Sequence, residues 1–371
     1  MAKQSSQSET RTAQRLPAEL AYEQEINALA EHDQGARPAG WRLSPQAVRT
    51  FILGGDELAD ELGIERKIFG NDLAVERAIV TLAGQRGLML VGEPGTAKSL
   101  LSELLAAAIS GCSTNTVQGS AGLIEENIRY TWNYALLLKQ GPSREALVPG
   151  PLHDAVNKGQ LLRFEEITRC PTEVQDSLIP ILSDKVLHIP ELSGEDSIAL
   201  TQPGFNIIAT ANIRDRGVNE MSAAIKRRFN FETMQPIKDV KAETSLITRE
   251  VTRLMQNESI EHGLEAATVE MLVTIFNELR NGHAMGAAVE PLSNVLSTAE
   301  AINVVYSAAA ECWYMGEEKV SPSYLLRHIS GTLIKDDEDD RKRVKNYLRL
   351  IRNKRKNDPA WRELLAGEQW I

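Results

Sequence analysis

A lysine and a serine lie side by side behind a glycine-rich turn, in the segment GEPGTAKS that follows a short apolar run. This pair suits a nucleoside triphosphate, because Lys98 supplies a mobile positive charge for phosphates and Ser99 a hard oxygen ligand for Mg²⁺. Gly92 and Gly95 keep the turn free of side chains, so its backbone N–H groups can converge on phosphate oxygens. Ala97 stands where the strict pattern has a glycine, and we expect its methyl group to be tolerated because this residue would have helical dihedrals.

Two adjacent carboxylates follow a second apolar run. Residues 161–164 predict a buried strand, interrupted by Arg163, and Glu165 and Glu166 come directly after it. In nucleotide hydrolases of this layout, the first carboxylate holds Mg²⁺ through water and the second polarises the attacking water. A Glu-Glu pair is also typical of a solvated helix start. The phosphate loop in the same chain favours the catalytic interpretation.

A strand-terminal amide and a basic cluster are further candidates. Asn212 ends the apolar run 205–212, at a position where ligands bind in open parallel sheets, and it could orient the water against the γ-phosphate. The alternative interpretation, to which we give equal weight, is that Asn212 caps a turn. Arg227 and Arg228 precede a short predicted strand, and guanidinium groups suit transition-state charge, including charge in a neighbouring subunit's site. The alternative is a solvated basic helix end.

The elements that must position these groups follow from the apolar pattern. Residues 88–91 predict a buried strand, and residues 99–110 predict the helix after the loop. The order of strand, phosphate loop and helix is typical of an α/β nucleotide-binding domain. Residues 68–70 precede a helix that begins near Asn71 or Asp72, where they could touch the adenine or belong to an ordinary packing element.

Two hairpins are predicted between the loop helix and Asn212. Alternating residues over 130–138 predict a strand, inside an insertion whose length favours a functional role. Residues 186–189 and 198–200 flank a charged tip and predict the second hairpin.

The two ends of the chain carry no catalytic signal. Residues 1 to about 15 are polar and predict disorder, residues 17–31 predict a helix, and the pattern after residue 235 is helical. The basic run 341–356 has apolar residues on one face, which favours a docked helix over a nucleic-acid-binding one. The predicted segments are a partly disordered N-terminal extension (1–43), a nucleotide-binding α/β domain (44–235), a helical domain (236–334) and a charged helical tail (335–371).

Composition limits the functional classes. The 371 residues are 42% hydrophobic and 25% charged, as in an ordinary globular protein, and the formal net charge of −10 argues against nucleic acid as a partner. The three cysteines lack metal-like spacing and indicate a reducing compartment. We find neither a signal peptide nor an apolar run of membrane-spanning length, and we therefore expect a cytoplasmic location without a membrane partner.

These motifs together resemble the AAA+ ATPases and, within them, the MoxR family. The likeness covers roughly residues 67–333 and rests on GEPGTAKS, Pro149-Gly150-Pro151, Glu165-Glu166-Ile167, Ala209-Thr210-Ala211-Asn212 and Arg227-Arg228-Phe229. It implies an AAA+ core with a parallel sheet between helices, a C-terminal helical lid, ATP with Mg²⁺, and a homo-oligomeric ring, as a hexamer. It also implies a separate partner protein, often one with a von Willebrand factor A domain.

The resemblance also implies a role for each motif residue. These roles are Walker A for Lys98 and Ser99, Walker B for Glu165 and Glu166, sensor 1 for Asn212, and the arginine finger for Arg228 with Arg227. The implied nucleotide-binding residues are Gly92, Glu93, Pro94, Gly95, Thr96, Ala97, Lys98, Ser99 and Leu100, and the implied metal ligands are Ser99 and Glu165. Ala299 stands where the sensor 2 arginine is common, and Arg280 and Arg327 are weak substitutes for it.

Three functions are compatible with this sequence. The first is Mg²⁺-dependent ATP hydrolysis by a ring-forming, chaperone-like MoxR-type ATPase that remodels or activates a separate protein. The second is a nucleic-acid-linked AAA+ motor or a restriction-type GTPase, favoured by the basic tail and opposed by the acidic net charge. The third is a nucleotide-gated scaffold with little hydrolysis, suggested by Glu165 in place of the usual aspartate and by Ala299.

Overall fold

The computed structural model describes the chain in six ranges, 13–212, 219–261, 263–293, 296–316, 319–335 and 337–371. The segment for which we predicted disorder lies mostly outside these described residues. Within them, no helix combines the length and the apolar character that a membrane crossing needs.

Strands concentrate in the middle of the chain and helices at its two ends. The strands are β1 (Gly87–Gly92), β2 (Thr116–Gln118), β3 (Tyr130–Trp132), β4 (Leu147–Pro149), β5 (Leu161–Glu165), β6 (Val186–His188), β7 (Ile198–Leu200), β8 (Asn206–Asn212), β9 (Phe229–Met234), β10 (His283–Ala284) and β11 (Ala287–Ala288). The α-helices are α1 (Ala18–Ala21), α2 (Glu23–His32), α3 (Pro45–Leu53), α4 (Glu57–Leu62), α5 (Asp72–Leu82), α6 (Lys98–Ser110), α7 (Tyr134–Gln140), α8 (Pro151–Lys158), α9 (Thr172–Asp176), α10 (Ile179–Asp184), α11 (Ala223–Lys226), α12 (Val240–Asn257), α13 (Ala266–Asn281), α14 (Thr298–Met315), α15 (Pro322–Ile329), α16 (Glu338–Lys354) and α17 (Pro359–Leu365).

Five strands form one parallel sheet in the order β2-β5-β8-β1-β9. Gly92, the last residue of β1, is opposite Asn212, the last residue of β8. On the other side of β8, β5 ends at Glu165. Because the carboxyl ends of parallel strands meet at the same edge of a sheet, this register brings the phosphate loop, Glu165 and Asn212 together.

Helices cover both faces of this sheet. Leu88 and Leu90 of β1 pack with α3, α5 and α6, whereas Met89 packs with α8 and α10 on the opposite face. Successive side chains of a strand point to opposite faces, and burial of both faces requires the continuous apolar run seen in the sequence. The predicted α/β class, with a parallel sheet between helices, is confirmed.

The C-terminal region is helical and has a separate apolar core. This core joins residues of α12 to α17, and the apolar face of α16, formed by Val344, Tyr347, Leu348 and Ile351, is buried in it. A helical region after the sheet domain is therefore confirmed. The division of the chain after residues 43, 235 and 334 stays a prediction.

The predicted strand over residues 130–138 is wrong beyond Trp132. A helix, α7, follows β3 because the Asn133 side chain accepts hydrogen bonds from the backbone N of Ala135 (3.2 Å) and of Leu136 (3.3 Å). Such an N-cap satisfies the free N–H groups of a first helical turn, and it outweighs the alternating apolar pattern here. The hairpin partner of β3 is β4, which pairs with it antiparallel.

Two further predictions about local structure hold in outline. The second hairpin is confirmed, since β6 pairs antiparallel with β7 and Val186 lies opposite Leu200. The helix predicted over residues 17–31 is present but broken at Tyr22, which joins α1 to α2 with φ −116° and ψ 26°.

Candidate nucleotide-binding site

The phosphate loop leaves β1 at Gly92 and enters α6 at Lys98. Lys98 is buried, and its Nζ donates to the carbonyl oxygens of Gly92 (3.1 Å) and Glu93 (2.7 Å). Thr96 Oγ1 donates to the same Glu93 oxygen at 2.8 Å, so side chains of the loop close the turn. The positive charge predicted for the phosphates therefore lies inside the loop.

The helical dihedrals expected at Ala97 prove to be those of the left-handed region. Ala97 has φ 62° and ψ 22° and caps the start of α6. A residue with a Cβ loses about 1–2 kcal/mol in this conformation, which explains why the strict loop pattern has glycine there. Gly95 has φ 74°, and a Cβ on it would lie only 1.9 Å from the Cβ of Ser297, so this position requires glycine.

Glu165 is 5% exposed, and its carboxylate accepts hydrogen bonds from several side chains. Its Oε2 accepts from Ser99 Oγ (2.7 Å) and Thr210 Oγ1 (2.8 Å). Its Oε1 contacts Ser102 Oγ at 2.5 Å and Arg163 Nη2 at 2.9 Å. Burial raises the pKa of Glu165, but the hydrogen bonds from Ser102 and Ser99 and the charge of Arg163 outweigh it, so the pKa lies below its ordinary value. Glu165 is therefore an anion at neutral pH.

Ser99 and Glu165 fit the Mg²⁺ ion that the fold implies. Their side-chain oxygens are 2.7 Å apart beside the phosphate loop, and one of them is a carboxylate held in its charged form. Mg²⁺ prefers hard oxygen ligands, and it usually takes one or two from a protein and the rest from water and substrate phosphates.

Glu166, unlike its neighbour, turns towards open space at the sheet edge. Its backbone has φ 54° and ψ 46°, and its N donates to Thr210 Oγ1 at 2.9 Å. The carboxylate lies 2.5 Å from Arg169 Nε, and both side chains are partly exposed. A left-handed conformation in a residue other than glycine is strained, and strain of this kind clusters at functional sites.

A cavity of about 440 Å³ opens at this sheet edge, within the range of small-molecule sites. We call the part that is lined by the loop the phosphate end of the cavity. We call a second part the base end; it is lined by residues of α12, of the segment that precedes α5, and of the junction between α1 and α2. The phosphate end contains Pro94, Gly95, Thr96, Ala97, Lys98, Ser99, Leu100, Glu166, Thr210 and Asn212. The base end contains Tyr22, Lys67, Ile68, Phe69, Leu246, Arg249, Glu250 and Arg253.

Comparison with known proteins identifies the family. Residues 87–229 match the AAA domain (dynein-related subfamily), and residues 241–369 match the YehL-like AAA+ ATPase C-terminal domain. Protein YehL of Escherichia coli (strain K12) is 50% identical over 335 residues, which cover 90% of this chain and 91% of YehL. The chain belongs to the YehL-like AAA+ ATPases.

More distant relatives are similar over a smaller part of the chain. Chaperone MoxR1 of Mycobacterium tuberculosis is 29% identical over 170 residues, 46% of this YehL-like chain and 41% of MoxR1. The MoxR-like character expected from the motifs is thereby confirmed. Among solved structures, the match to NtrX from Brucella abortus covers 85% of this chain and 65% of the NtrX chain. The sequence identity is 14% and the TM-score is 0.46, a level that carries no functional argument.

Two predicted site residues of this YehL-like ATPase, Arg227 and Arg228, lie away from its phosphate end. They precede β9, which runs parallel to β1 and in register with it along its length. A strand of this length spans about 17 Å, so the arginines are that far from the loop. Arg228 Nε donates to Ser183 Oγ at 2.9 Å. Neither arginine therefore contacts the phosphate end of its own chain.

The three residues considered for sensor 2 differ in their position relative to the cavity. Ala299 lies in α14 and lines the cavity. Arg280 lines it too, with its Nη2 3.2 Å from Glu243 Oε1. Arg327 pairs with Glu311 at 2.7 Å and is not among the described residues that line the cavity. Of the two substitutes considered for sensor 2, Arg280 is the one that reaches this space.

Several site residues were not predicted from the sequence. Arg163 was seen as an interruption of an apolar strand, yet it is 9% exposed and donates to Glu165, to Ser102 Oγ (3.0 Å) and to the carbonyl of Ser113 (2.8 Å). A charged residue inside a buried strand indicates a buried partner, and this signal could have been used. The base-end residues that no sequence signal indicated are Tyr22, Lys67, Leu246, Arg249, Glu250 and Arg253.

Proposed function

We propose that this YehL-like chain is a Mg²⁺-dependent ATPase that works at the cavity of the sheet edge. One observation carries the proposal. The parallel register of β1, β8 and β5 gathers the phosphate loop, Glu166 and Asn212 around one space, with the carboxylate of Glu165 hydrogen-bonded to Ser99 of the loop. Hydrolysis of a phosphoanhydride requires this set of groups, because positive charge, a metal and a proton acceptor must meet the γ-phosphate together.

Each residue of the phosphate end has a part in this proposal. Lys98 binds the β- and γ-phosphates, together with the backbone N–H groups of the loop. Ser99 and Glu165 hold Mg²⁺, which when bound neutralises charge on the phosphate oxygens. Glu166 accepts a proton from the attacking water, and Asn212 orients that water.

We extend the proposal to a ring of identical subunits, as a hexamer. Arg228 lies about 17 Å from its own phosphate loop, so its guanidinium can stabilise transition-state charge only in another subunit's site. Arg227, its exposed neighbour, assists it from the same helix end.

We further propose that the ring acts in the cytoplasm as a chaperone on a separate protein. The likeness to Chaperone MoxR1 supports this role, and a protein with a von Willebrand factor A domain is our candidate partner. The nucleic-acid motor has less support, because basic groups of α16 and of the residue after its end are engaged within the chain. Arg343 pairs with Asp340 at 2.6 Å, and Arg355 with Glu278 at 2.6 Å.

Substitution of Glu166 by glutamine tests the proposed proton acceptor. We expect Glu166→Gln to bind ATP as the wild type does and to lower ATP turnover about 100-fold or more, since general base catalysis contributes that much. Phosphate release and equilibrium ATP binding are measured in parallel. Glu173→Gln, an exposed substitution in α9, is the matched control and should keep full turnover. Unchanged turnover in Glu166→Gln would refute the assignment, and preferential hydrolysis of GTP would favour the GTPase alternative.

A second experiment tests the action of Arg228 between subunits. Turnover per protomer should rise steeply with protein concentration in the wild type, and Arg228→Ala should abolish this rise, with a loss of about 100-fold or more. Mixing Arg228→Ala with Glu166→Gln should restore part of the activity, because each variant supplies what its neighbour lacks. Lys226→Ala removes an adjacent exposed charge and should behave as the wild type. A mixture as inactive as its components would contradict action in trans.

A further inference from the structure

The base end of the cavity contains a side chain from far outside the nucleotide-binding domain. Tyr22 joins α1 to α2, and it lines the same cavity as Ile68 and Phe69. We call α1 and α2 together, residues 18–32, the N-terminal helix pair. In the sequence, Tyr22 precedes the phosphate loop by about 70 residues, and no motif indicates it.

The ring of Tyr22 is held in place by a buried cation. Lys67 Nζ lies 4.8 Å from the centre of the Tyr22 ring and 4.3 Å from that of Phe51, and these two rings meet edge to face at 5.7 Å. Lys67 Nζ also donates to Glu25 Oε2 (2.5 Å) and to the carbonyls of Phe51 (2.9 Å) and Glu65 (3.1 Å). Cation–π contacts of this kind orient an aromatic ring.

The helix pair that carries Tyr22 is docked on the sheet domain and is not a loose appendage. Ile26 and Leu29 of α2 are fully buried in the core that contains α3, α5 and α6. At α1, the backbone N of Ala18 donates to Ser113 Oγ at 3.3 Å, and Glu19 Oε2 accepts from the backbone N of Ser113 at 2.9 Å. Tyr22, which lines the cavity, is therefore carried by a docked element.

Tyr22 also lies near the C-terminal helical region. Burial raises its pKa above the ordinary value, and the charges of Arg253 and Glu250 on α12 act on it in opposite directions. Phe69 is stacked by Arg249 of the same helix, whose guanidinium carbon lies 5.6 Å from the ring centre. A flat, neutral aromatic ring thus lines the same cavity as the apolar side chains of Ile68 and Phe69.

We propose that Tyr22 contacts the base of the bound nucleotide, so that the N-terminal helix pair is a working part of the nucleotide site. This inference rests on the proposed function. With the triphosphate at the loop, the base extends into the remaining part of the cavity, where Tyr22 and Phe69 offer aromatic surface. Every nucleobase has a π-face, and an aromatic ring beside it typically changes affinity about tenfold or more.

The test separates the base from the phosphates. We measure binding of ATP and of inorganic tripolyphosphate, which lacks a base, to the wild type and to Tyr22→Ala, Tyr22→Leu and Tyr22→Phe. Tyr22→Ala and Tyr22→Leu should bind ATP about tenfold more weakly and tripolyphosphate unchanged, whereas Tyr22→Phe should keep both affinities. Tyr314→Ala, an exposed tyrosine at the far end of α14, is the matched control and should keep both. Retained tripolyphosphate binding also shows that a variant is folded.

The outcomes distinguish the two proposals. Lys98→Ala should lose both ligands, and a wild type that binds neither would overturn the proposed function itself. If the wild type binds both and Tyr22→Ala keeps its full ATP affinity, the base does not touch Tyr22. If both Tyr22→Ala and Tyr22→Leu lose ATP and tripolyphosphate equally, Tyr22 supports the fold and makes no base contact.

Discussion

The two ends of the cavity are built in different ways. The phosphate end consists of one continuous loop and of residues at the carboxyl ends of β8 and β5. In the sheet, β8 is adjacent to β1, and β5 is adjacent to β8. The base end collects side chains from three segments that are remote in sequence, represented by Tyr22, Phe69 and Arg249. The first is held by backbone register, the second by side-chain packing and buried charge.

This difference has a physical origin. Phosphates are charged and compact, so they require convergent N–H groups and cations at fixed spacing, which a loop at a helix start provides. A nucleobase is flat and mostly apolar, and any close aromatic or aliphatic surface can bind it. The phosphate end therefore requires one particular loop conformation, whereas the base end can be formed by side chains of any helices that pack beside it.

The ion pair between Lys67 and Glu25 tests whether buried charge holds the base end together, and it has the larger expected effect on stability. Lys67 is 7% exposed and pairs with Glu25, and burial lowers the pKa of Lys67 while Glu25 opposes that effect. Glu25→Gln leaves the buried ammonium without its counter-charge. We expect the free energy of unfolding to fall by about 2 kcal/mol, measured by urea denaturation.

The control for this variant lies on the same helical turn. Glu23 and Glu25 are both in the first turn of α2, so Glu23→Gln removes the same favourable interaction with the helix dipole. Glu23→Gln should change stability by less than about 0.5 kcal/mol. In a Lys67→Met background, Glu25→Gln should lose most of its effect, because the buried charge is gone. If Glu23→Gln and Glu25→Gln lowered the free energy of unfolding equally, the buried ion pair would not stabilise the base end, and the contrast with the phosphate end would fail.

The phosphate end could be predicted from the sequence because its chemistry is local. Lys98 and Ser99 occupy fixed positions in one short motif, and the apolar runs that end at Glu165 and Asn212 are read directly as buried strands of a parallel sheet. Strands of this type end at one edge, so three separate motifs could be assigned to one site before their geometry was known.

The remaining features depend on tertiary contacts that a sequence pattern does not contain. Tyr22 reaches the cavity only because α2 docks on α3, and the helix α7 forms because one cap at Asn133 outweighs an alternating pattern. Arg163 was visible as a charge in an apolar run, but its partner, Glu165, is identified only by the close pairing of their side chains.

The smallest expected effect concerns the one loop residue that departs from the strict pattern. Ala97→Gly relieves the left-handed strain, and it also makes the unfolded chain more flexible, so the free energy of unfolding should rise by no more than about 1 kcal/mol. Ala299→Gly makes the same chemical change in the first turn of α14 and should lower the free energy of unfolding by up to about 1 kcal/mol. Thermal unfolding of both variants measures the difference. Equal destabilisation would mean that neighbouring contacts of Ala97 outweigh its backbone strain, and that the phosphate end depends on side-chain packing as the base end does.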